Sequence, residues 1–196
     1  MTKKINLKRD MKFILGKKLG MTTIFNDARE AQNVTLVECS TKVSLLRNEE
    51  RDGYVAVQVE MAKTKNKVFR KEFKADASEM KIGDEVSVDS FKIGDKVSIS
   101  GLGKAKGFQG GVKRYGFGGG NASHGGKHNL RQPGSIGASY PEHVIKGKRM
   151  AGRMGGKRVT SEKVKVVFID KEKNIMALKG PVPGAAGTMV EIYQRQ

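Results

Sequence analysis

The chain has 196 residues and a formal net charge of +18 at pH 7, from 38 Lys and Arg against 20 Asp and Glu. An excess of this size favours a polyanionic partner, with nucleic acid ahead of an anionic membrane surface. The single cysteine, Cys39, excludes a disulfide framework and a cysteine-based zinc site, and the lack of long apolar runs predicts no membrane span.

The first part of the chain is predicted to form short β-strands. Residues 1–11 are basic and lack the apolar segment of a signal peptide, so they are interpreted as a tail. After them, runs rich in Val, Ile, Thr and Phe alternate with turn pairs such as Asp52-Gly53. These strand-like runs cover residues 12–15, 21–25, 33–38, 42–47 and 54–60. Residues 63–80 fit neither the strand nor the helix period, and a short helix or a small side lobe is predicted there.

A local repeat comes next. The sequence KIGDEVSV at 81–88 recurs as KIGDKVSI at 92–99. Each copy is a Gly-Asp turn that leads into an alternating strand, and the spacing indicates consecutive strands of a meander or barrel.

A cationic, glycine-rich insert interrupts the strands. Residues 101–160 contain 17 of the 25 Gly, 12 Lys and Arg, all three His and one acid, Glu142. Few large apolar residues are present to offset the entropy of ordering so much glycine, so the segment is expected to be flexible alone and ordered by a partner. Glycine permits close backbone approach to RNA, while Lys and Arg neutralise phosphates. An inert linker would have no use for aromatic residues among the cations.

Strand patterns resume after the insert, at 163–170, 174–179 and 188–193. About ten short strands and almost no helical periodicity predict an all-β class, most simply a closed barrel. The predicted organisation is a tail at 1–11, a discontinuous β-barrel body at 12–100 and 160–196, with the possible side lobe at 63–80, and an extended arm at 101–159. The barrel can close only if the two body segments join across the arm.

The longest motifs resemble one family. The stretch GLGKAKGFQGGVKRYGFGGGNASHG at 101–125 is similar to the signature of the universal large-subunit ribosomal protein L-three family. Residues 131–137 (RQPGSIG) and 146–156 (KGKRMAGRMGG) are similar to further motifs of that family. The opening GKKLGMT at 16–22, with Phe25, and the closing turn KGPVPG at 179–184 also match. The resemblance covers nearly the whole chain in order, and the compact length without a transit peptide favours the bacterial branch.

The resemblance implies a fold and a role. The family's body is a β-barrel of the type shared with translation factors, and its long, glycine-rich, basic arm runs through large-subunit (23S-type) rRNA toward the peptidyl transferase centre. The family binds this rRNA near its 3′ end, nucleates early assembly and is not a catalyst. The implied partners are rRNA and neighbouring ribosomal proteins in the cytoplasm, with no cofactor, small-molecule substrate, membrane or homo-oligomer. The arm tip near the active site would comprise Ser135, Ala138, Ser139 and Tyr140.

The sequence departs from the family pattern at a few positions. Gly103 stands where many relatives have Ser or Thr, and Ala105 where many have Gly. No Gln occurs between Gln132 and Gln194, so the methylated glutamine of some bacterial relatives has no counterpart. The tip is one residue shorter than in some relatives. His143 stands where Lys or Arg is frequent, so one phosphate contact is expected to be pH-sensitive or absent at this position.

The candidate RNA contacts follow from charge and position. The predicted rRNA-binding residues are Lys104, Lys106, Lys113, Arg114, His124, Lys127, His128, Arg131, Lys146, Lys148, Arg149, Arg153, Lys157 and Arg158. Weaker candidates are Lys17 and Lys18, and Lys3, Lys4, Lys8 and Arg9 in the tail. Phe108, Tyr115 and Phe117 either stack on bases or pack at the base of the arm.

Other function classes find little support. The chain has no P-loop, and Ser123 does not lie in a G-x-S-x-G motif. His124 and His128 flank a glycine pair and lack a nearby carboxylate or thiol, so RNA contact or packing is favoured over a metal site. Glu142 has no acidic neighbour for acid–base catalysis. A generic nucleic-acid-binding or RNA-chaperone protein shares the charge pattern and is the alternative. No amphipathic basic helix suggests membrane binding.

Overall fold

The computed structural model describes residues 11–26, 29–75 and 80–194. Within them the strands are β1 Lys12–Phe25, β2 Ala31–Glu38, β3 Thr41–Arg47, β4 Ala56–Thr64, β5 Lys67–Phe73, β6 Glu85–Val86, β7 Lys96–Leu102, β8 Phe108–Gln109, β9 Gly152–Arg153, β10 Arg158–Asp170, β11 Ile175–Lys179 and β12 Met189–Gln194. The helices are short: α1 Glu49–Asp52, α2 Gly111–Tyr115 and a 3-10 turn at Val88–Ser90. The predicted all-β class is confirmed.

Six strands form a closed barrel in the order β1-β12-β7-β10-β11-β2, and every neighbouring pair is antiparallel. Strand β7 precedes the glycine-rich insert and β10 follows it. These two strands pair directly, with Gly101 opposite Val159 and Leu102 opposite Arg158. The two body segments therefore join side by side, as closure of the barrel requires.

The barrel interior is filled by alternate residues of its strands. Ile14, Val37, Ile99, Met176 and Ile192 are among the fully buried members of this cluster. Successive strand residues point to opposite faces, so Phe13 and Leu15, the neighbours of Ile14, lie on the outside of the barrel. They are nevertheless buried, because a second sheet covers them.

This second sheet has the strand order β5-β4-β3-β6. Its apolar face contributes Val57, Val59 and Phe73 to the cluster that contains Phe13 and Leu15. The rings of Phe13 and Phe73 stack with centroids 4.8 Å apart. The body is therefore two layers, a barrel and a sheet, and the first part of β1, at residues 13–16, is buried on both faces.

Three sequence-based expectations need correction. Residues 12–25 form one strand rather than two, because a bulge between Lys18 and Gly20 lets pairing with β2 continue. The helix considered for residues 63–80 is wrong, since Lys67–Phe73 pairs with β4 as strand β5. The two copies of the repeat are not consecutive strands of one sheet, because β6 pairs with β3 whereas β7 belongs to the barrel.

The repeat copies nevertheless build the same turn. The backbone N–H of Lys81 donates to Asp84 Oδ2 at 2.8 Å, and that of Lys92 donates to Asp95 Oδ2 at 3.0 Å. Gly83 and Gly94 take φ values of +97° and +96°, which glycine adopts without strain. The copies diverge afterwards, because the first enters the 3-10 turn at Val88–Ser90.

The chain divides into two compact units: Lys104–Lys157, and the remainder before and after it. We call them the arm unit and the body. Within the described residues, no helix is both long and apolar enough to span a membrane. Cys39 lies in the barrel core at 1% exposure, and burial, with a smaller contribution from Glu38, raises the pKa of its thiol to about 12. It is therefore unreactive in the folded protein.

Close packing inside the barrel makes Gly16 a sensitive position. A Cβ atom at Gly16 would lie 2.2 Å from Val37 Cγ1, whereas a Cβ at Gly20 of the same strand would meet nothing within 4 Å. We expect Gly16→Ala to lower the free energy of unfolding by about 1–3 kcal/mol, because the core must shift to accept a methyl group. Gly20→Ala should change it by less than about 1 kcal/mol. Urea titrations measure both, and equal stabilities would contradict this packing.

Candidate nucleic-acid interface

The arm unit combines high positive charge with the absence of any buried residue. Residues 104–157 contain 11 Lys and Arg and one acid, Glu142. All 54 residues are described, and none of them is buried. The unit therefore has no core of its own of the kind that stabilises the body, and its side chains are available to a partner.

Its two ends are joined by a short β-ribbon. Strands β8 and β9 pair Phe108 with Arg153. The N–H of Lys106 donates to the Met154 carbonyl at 2.9 Å, and the N–H of Met154 donates to the Gly107 carbonyl at 2.8 Å. Gly155 has a φ of +72°, and a Cβ there would lie 2.0 Å from the Lys104 carbonyl oxygen. Only glycine fits this crossing of two backbones.

An aromatic cluster follows the ribbon. The ring of Tyr115, at the end of α2, stacks near Phe117 with centroids 5.8 Å apart. The guanidinium groups of Arg114 and Arg149 lie 4.9 and 5.7 Å from the Tyr115 centroid, within cation–π range. Arg114 Nη1 also donates to the Met150 carbonyl at 2.6 Å. Of the two alternatives for the aromatic residues, Tyr115 and Phe117 pack within the arm unit.

Phe108 differs from this pair. Its side chain is 75% exposed, which leaves its ring open to contact with a partner. Tyr115 and Phe117 therefore help to shape the arm unit, whereas Phe108 lies open on its surface.

A shallow hollow of about 480 Å³ lies beside the cluster. The residues that line it include Phe117, Asn129, Gln132 and Pro133. The N–H of Gly120 donates to the Asn129 carbonyl at 3.1 Å. Sequence reasoning missed Asn129 and Gln132, because neither carries a charge and no motif marks the backbone crossing that brings them to Gly120.

The tip consists of turns held by local bonds. Within residues 133–149, the N–H of Glu142 donates to the Ser139 carbonyl at 3.2 Å, and Ser135 Oγ donates to the Gly137 carbonyl at 2.9 Å. The four predicted tip residues, Ser135, Ala138, Ser139 and Tyr140, are all exposed. Tyr140 is 83% exposed and precedes Pro141 through a cis peptide bond.

The predicted RNA-contact cations are nearly all exposed and unpaired by acids. No ion pair involves a residue of the fully described segment 104–157. Arg114 is half-buried through its contact with Tyr115. The exposed ones are Lys104, Lys106, Lys113, Lys127, Arg131, Lys146, Lys148, Arg149, Arg153 and Lys157.

Arg158 and Lys18 belong to the body and behave differently. Arg158 forms an ion pair with Glu191, so part of its charge is already balanced. Lys18 is only 7% exposed, and its Nζ donates to the carbonyls of Val182 at 2.8 Å and Gly184 at 3.0 Å. The prediction that Lys18 contacts phosphate is wrong, because the bend at 181–184 binds its ammonium group. Lys17 is half-buried. The tail cations Lys3, Lys4, Lys8 and Arg9 lie outside the described residues.

The three histidines are exposed. His124 and His128 both have a φ of +58°, which is incompatible with a shared helix face. Their exposure favours contact with a partner over packing. Among the described residues, no group of three or more His, Cys, Asp or Glu is placed to bind a metal ion.

Comparison with known proteins agrees with these features. The family model for ribosomal protein L3 matches residues 26–180. The large ribosomal subunit protein uL3 of Corynebacterium jeikeium (strain K411) is 42% identical over 204 aligned positions, covering 93% of this chain and 94% of that relative.

Two further relatives carry the same name. The uL3 of Chloroherpeton thalassium is 42% identical, covering 93% of this chain and 98% of that relative. The uL3 of Chlorobium limicola is 40% identical, covering 91% and 96%. Since the family model and these relatives span the arm unit as well as most of the body, this chain belongs to the ribosomal protein L3 family.

Proposed function

We propose that this chain is a structural constituent of the large ribosomal subunit in the cytoplasm and that its arm unit binds ribosomal RNA. One observation carries the proposal: 11 cations and one acid occupy a segment without a buried residue or an ion pair in its 54 described residues. Such a surface is unfavourable until an anion neutralises it. The family is not enzymatic, so no catalytic residue is proposed.

The composition suits contact with RNA backbone at close range. Glycine lets two segments of the arm unit cross closely. It does so at Gly155 and at Gly119, where a Cβ would lie 2.2 Å from the Leu130 carbonyl oxygen. The backbone segments therefore pack closely, and most of the cations lie at the surface. Lys and Arg contact phosphates, while the open ring of Phe108 offers a face on which an unpaired base can stack.

We further propose that the arm reaches toward the peptidyl transferase centre and that the protein binds 23S-type rRNA near its 3′ end early in assembly. The tip supports a role in a confined space, because Ser135, Ala138 and Ser139 are small and local hydrogen bonds engage Ser135 and Ser139. Tyr140 is the exposed tip residue with an aromatic ring and a hydroxyl group, so it can both stack and donate a hydrogen bond.

A salt titration distinguishes this role from a generic RNA chaperone. Generic binding follows counterion release on any nucleic acid. Log K then falls by roughly 0.7–0.9 per phosphate contact for each tenfold rise in salt concentration. We expect the purified full chain to keep a strong preference for a 3′-terminal large-subunit rRNA fragment over an unrelated RNA of equal length at 0.5 M salt (about 100-fold). Filter binding measures the ratio. Equal affinities for the two RNAs at every salt concentration would favour the chaperone.

A further inference from the structure

The hairpin formed by β4 and β5 has an exposed, cationic tip outside the arm unit. Residues 62–68 are seven consecutive exposed positions, although both strands are buried on one face closer to the barrel, at Val59 and Phe73. The tip contains Lys63, Lys65 and Lys67, and residues 61–71 contain no acid. Val68 is 51% exposed on the same hairpin.

These three lysines differ from the cations nearer the barrel. Arg70 is paired with Glu60 at 2.9 Å, and Lys71 with Glu191 at 3.5 Å. Lys63, Lys65 and Lys67 form no ion pair with any described residue. The hairpin therefore has acidic partners for its cations closer to the barrel, whereas the positive charge of its tip has no acidic partner among the described residues.

The acids of the hairpin do not neutralise the tip, because Glu60 is paired with Arg70 and Glu72 lies two positions further from the tip. Glu72 accepts hydrogen bonds from Tyr54 at 3.0 Å and from the Arg47 guanidinium at 3.1 Å. These bonds, led by the one from Tyr54, hold the pKa of Glu72 below its usual value. Its charge is therefore engaged at the other end of the sheet.

The tip is structured rather than a loose loop. Ala62 pairs with Val68 and Thr64 with Lys67, and the bulge between Ala62 and Thr64 places Lys63 as the extra residue. Bulges redirect side chains and strengthen twist. A two-stranded ribbon without cover is marginally stable in water, so a partner that binds this tip would stabilise it.

Two ordinary explanations account for these lysines less well. Lysines on an edge strand prevent sheets from pairing edge to edge. That explains Lys67 on β5, the edge strand, but not Lys63 on β4 or Lys65 in the turn. A merely solvated surface would be expected to mix both signs of charge, as the rest of the body does.

We propose that the tip at 62–68 is a second RNA-binding surface, on the body, that contacts the phosphate backbone of an RNA segment. This inference rests on the proposed function and adds a contact outside the arm unit. Charge complementarity favours RNA over a protein partner, because three lysines with one exposed Val offer little apolar area for a protein interface. The lysines would contact phosphates and 2′-hydroxyls on the wide minor groove of an RNA helix.

The first test compares two charge-matched variants of the full chain on the rRNA fragment. One replaces Lys63, Lys65 and Lys67 with Gln. The control replaces Lys81, Lys92 and Lys173, three exposed lysines elsewhere on the body, with Gln. We expect the hairpin variant to bind about 10–100-fold more weakly at 0.1 M salt, with its salt slope reduced by about two, and the control to bind like the wild type.

An arm variant separates the possible failures. If the hairpin variant binds like the wild type while removal of arm cations weakens binding, the hairpin proposal is overturned and RNA binding by the arm stands. If neither change weakens binding, the proposed function fails as well. Equal weakening of the hairpin variant and its control assigns the effect to total charge and also overturns the proposal.

A crosslinking test identifies the partner in assembled subunits. Because Cys39 is buried, Asn66→Cys provides a single reactive thiol in the turn of the hairpin. A benzophenone attached there should form an adduct with rRNA in purified large subunits. Adducts with ribosomal protein alone would overturn the assignment to RNA and indicate a protein contact.

Discussion

Deletion of residues 107–157 is expected to leave a folded body that no longer supports assembly of the large subunit. The register of the barrel makes this deletion feasible, because Leu102 and Arg158 lie directly opposite each other on β7 and β10. Joining residue 106 to residue 158 leaves only residues 103–106 between them. A connection of four residues is a common length for an antiparallel hairpin.

Two measurements check this expectation. The purified deletion variant should unfold cooperatively in urea, because both apolar clusters of the body lie outside the deleted segment. In cells that contain only this variant, sucrose gradients should show loss of mature large subunits and accumulation of precursors. Normal, active subunits that contain the deletion variant would refute the role of the arm. A body that fails to fold would instead contradict the expectation that the two apolar clusters are stable without the arm unit.

The sequence predicts the body well because strand patterns are local. The alternation at 54–60 corresponds to the buried residues Val57 and Val59, and the repeat predicts two identical turns at Gly83 and Gly94. What it does not reveal is pairing between distant segments. The two repeat copies join different sheets because β3 and β10, far away in sequence, are their partners.

The same limit applies to the candidate interface. Charge and glycine content predict a cationic arm, since both are properties of the local sequence. The cluster around Tyr115 is not predictable in this way, because Arg149 and the Met150 carbonyl approach from 34 and 35 positions away. The hairpin tip is missed for a related reason: the Lys63, Lys65 and Lys67 pattern acquires meaning only once β4 and β5 pair and the neighbouring cations Arg70 and Lys71 are seen to be compensated.

Replacement of four arm cations should cause the largest loss of RNA affinity that point substitutions can produce. Lys127 and Arg131 precede the tip segment 133–149, and Lys146 and Lys148 lie near its end. All four are exposed and have no acidic partner. They also make no side-chain hydrogen bond or ring contact within the arm unit. Their replacement with Gln should therefore remove charge without disturbing the cluster around Tyr115 or the β8–β9 ribbon.

The expected size follows from counterion release. Four phosphate contacts contribute a salt slope of about three, and each unit of slope is a factor of about ten in affinity at 0.1 M salt. We expect the quadruple variant to bind the rRNA fragment about 10²–10³-fold more weakly at 0.1 M salt and with a shallower salt dependence. The matched control replaces Lys81, Lys92, Lys165 and Lys173, four exposed lysines of the body, with Gln.

The comparison of the two quadruple variants separates position from total charge. Both lower the net charge by four, so long-range attraction between protein and RNA changes equally in the two proteins. Only contacts made by the arm can produce a difference between them, and that difference should shrink as salt rises because released counterions are its source. If the control variant binds the rRNA fragment as weakly as the arm variant does, binding depends on overall charge. The proposal that the arm is the principal RNA-binding segment would then be overturned.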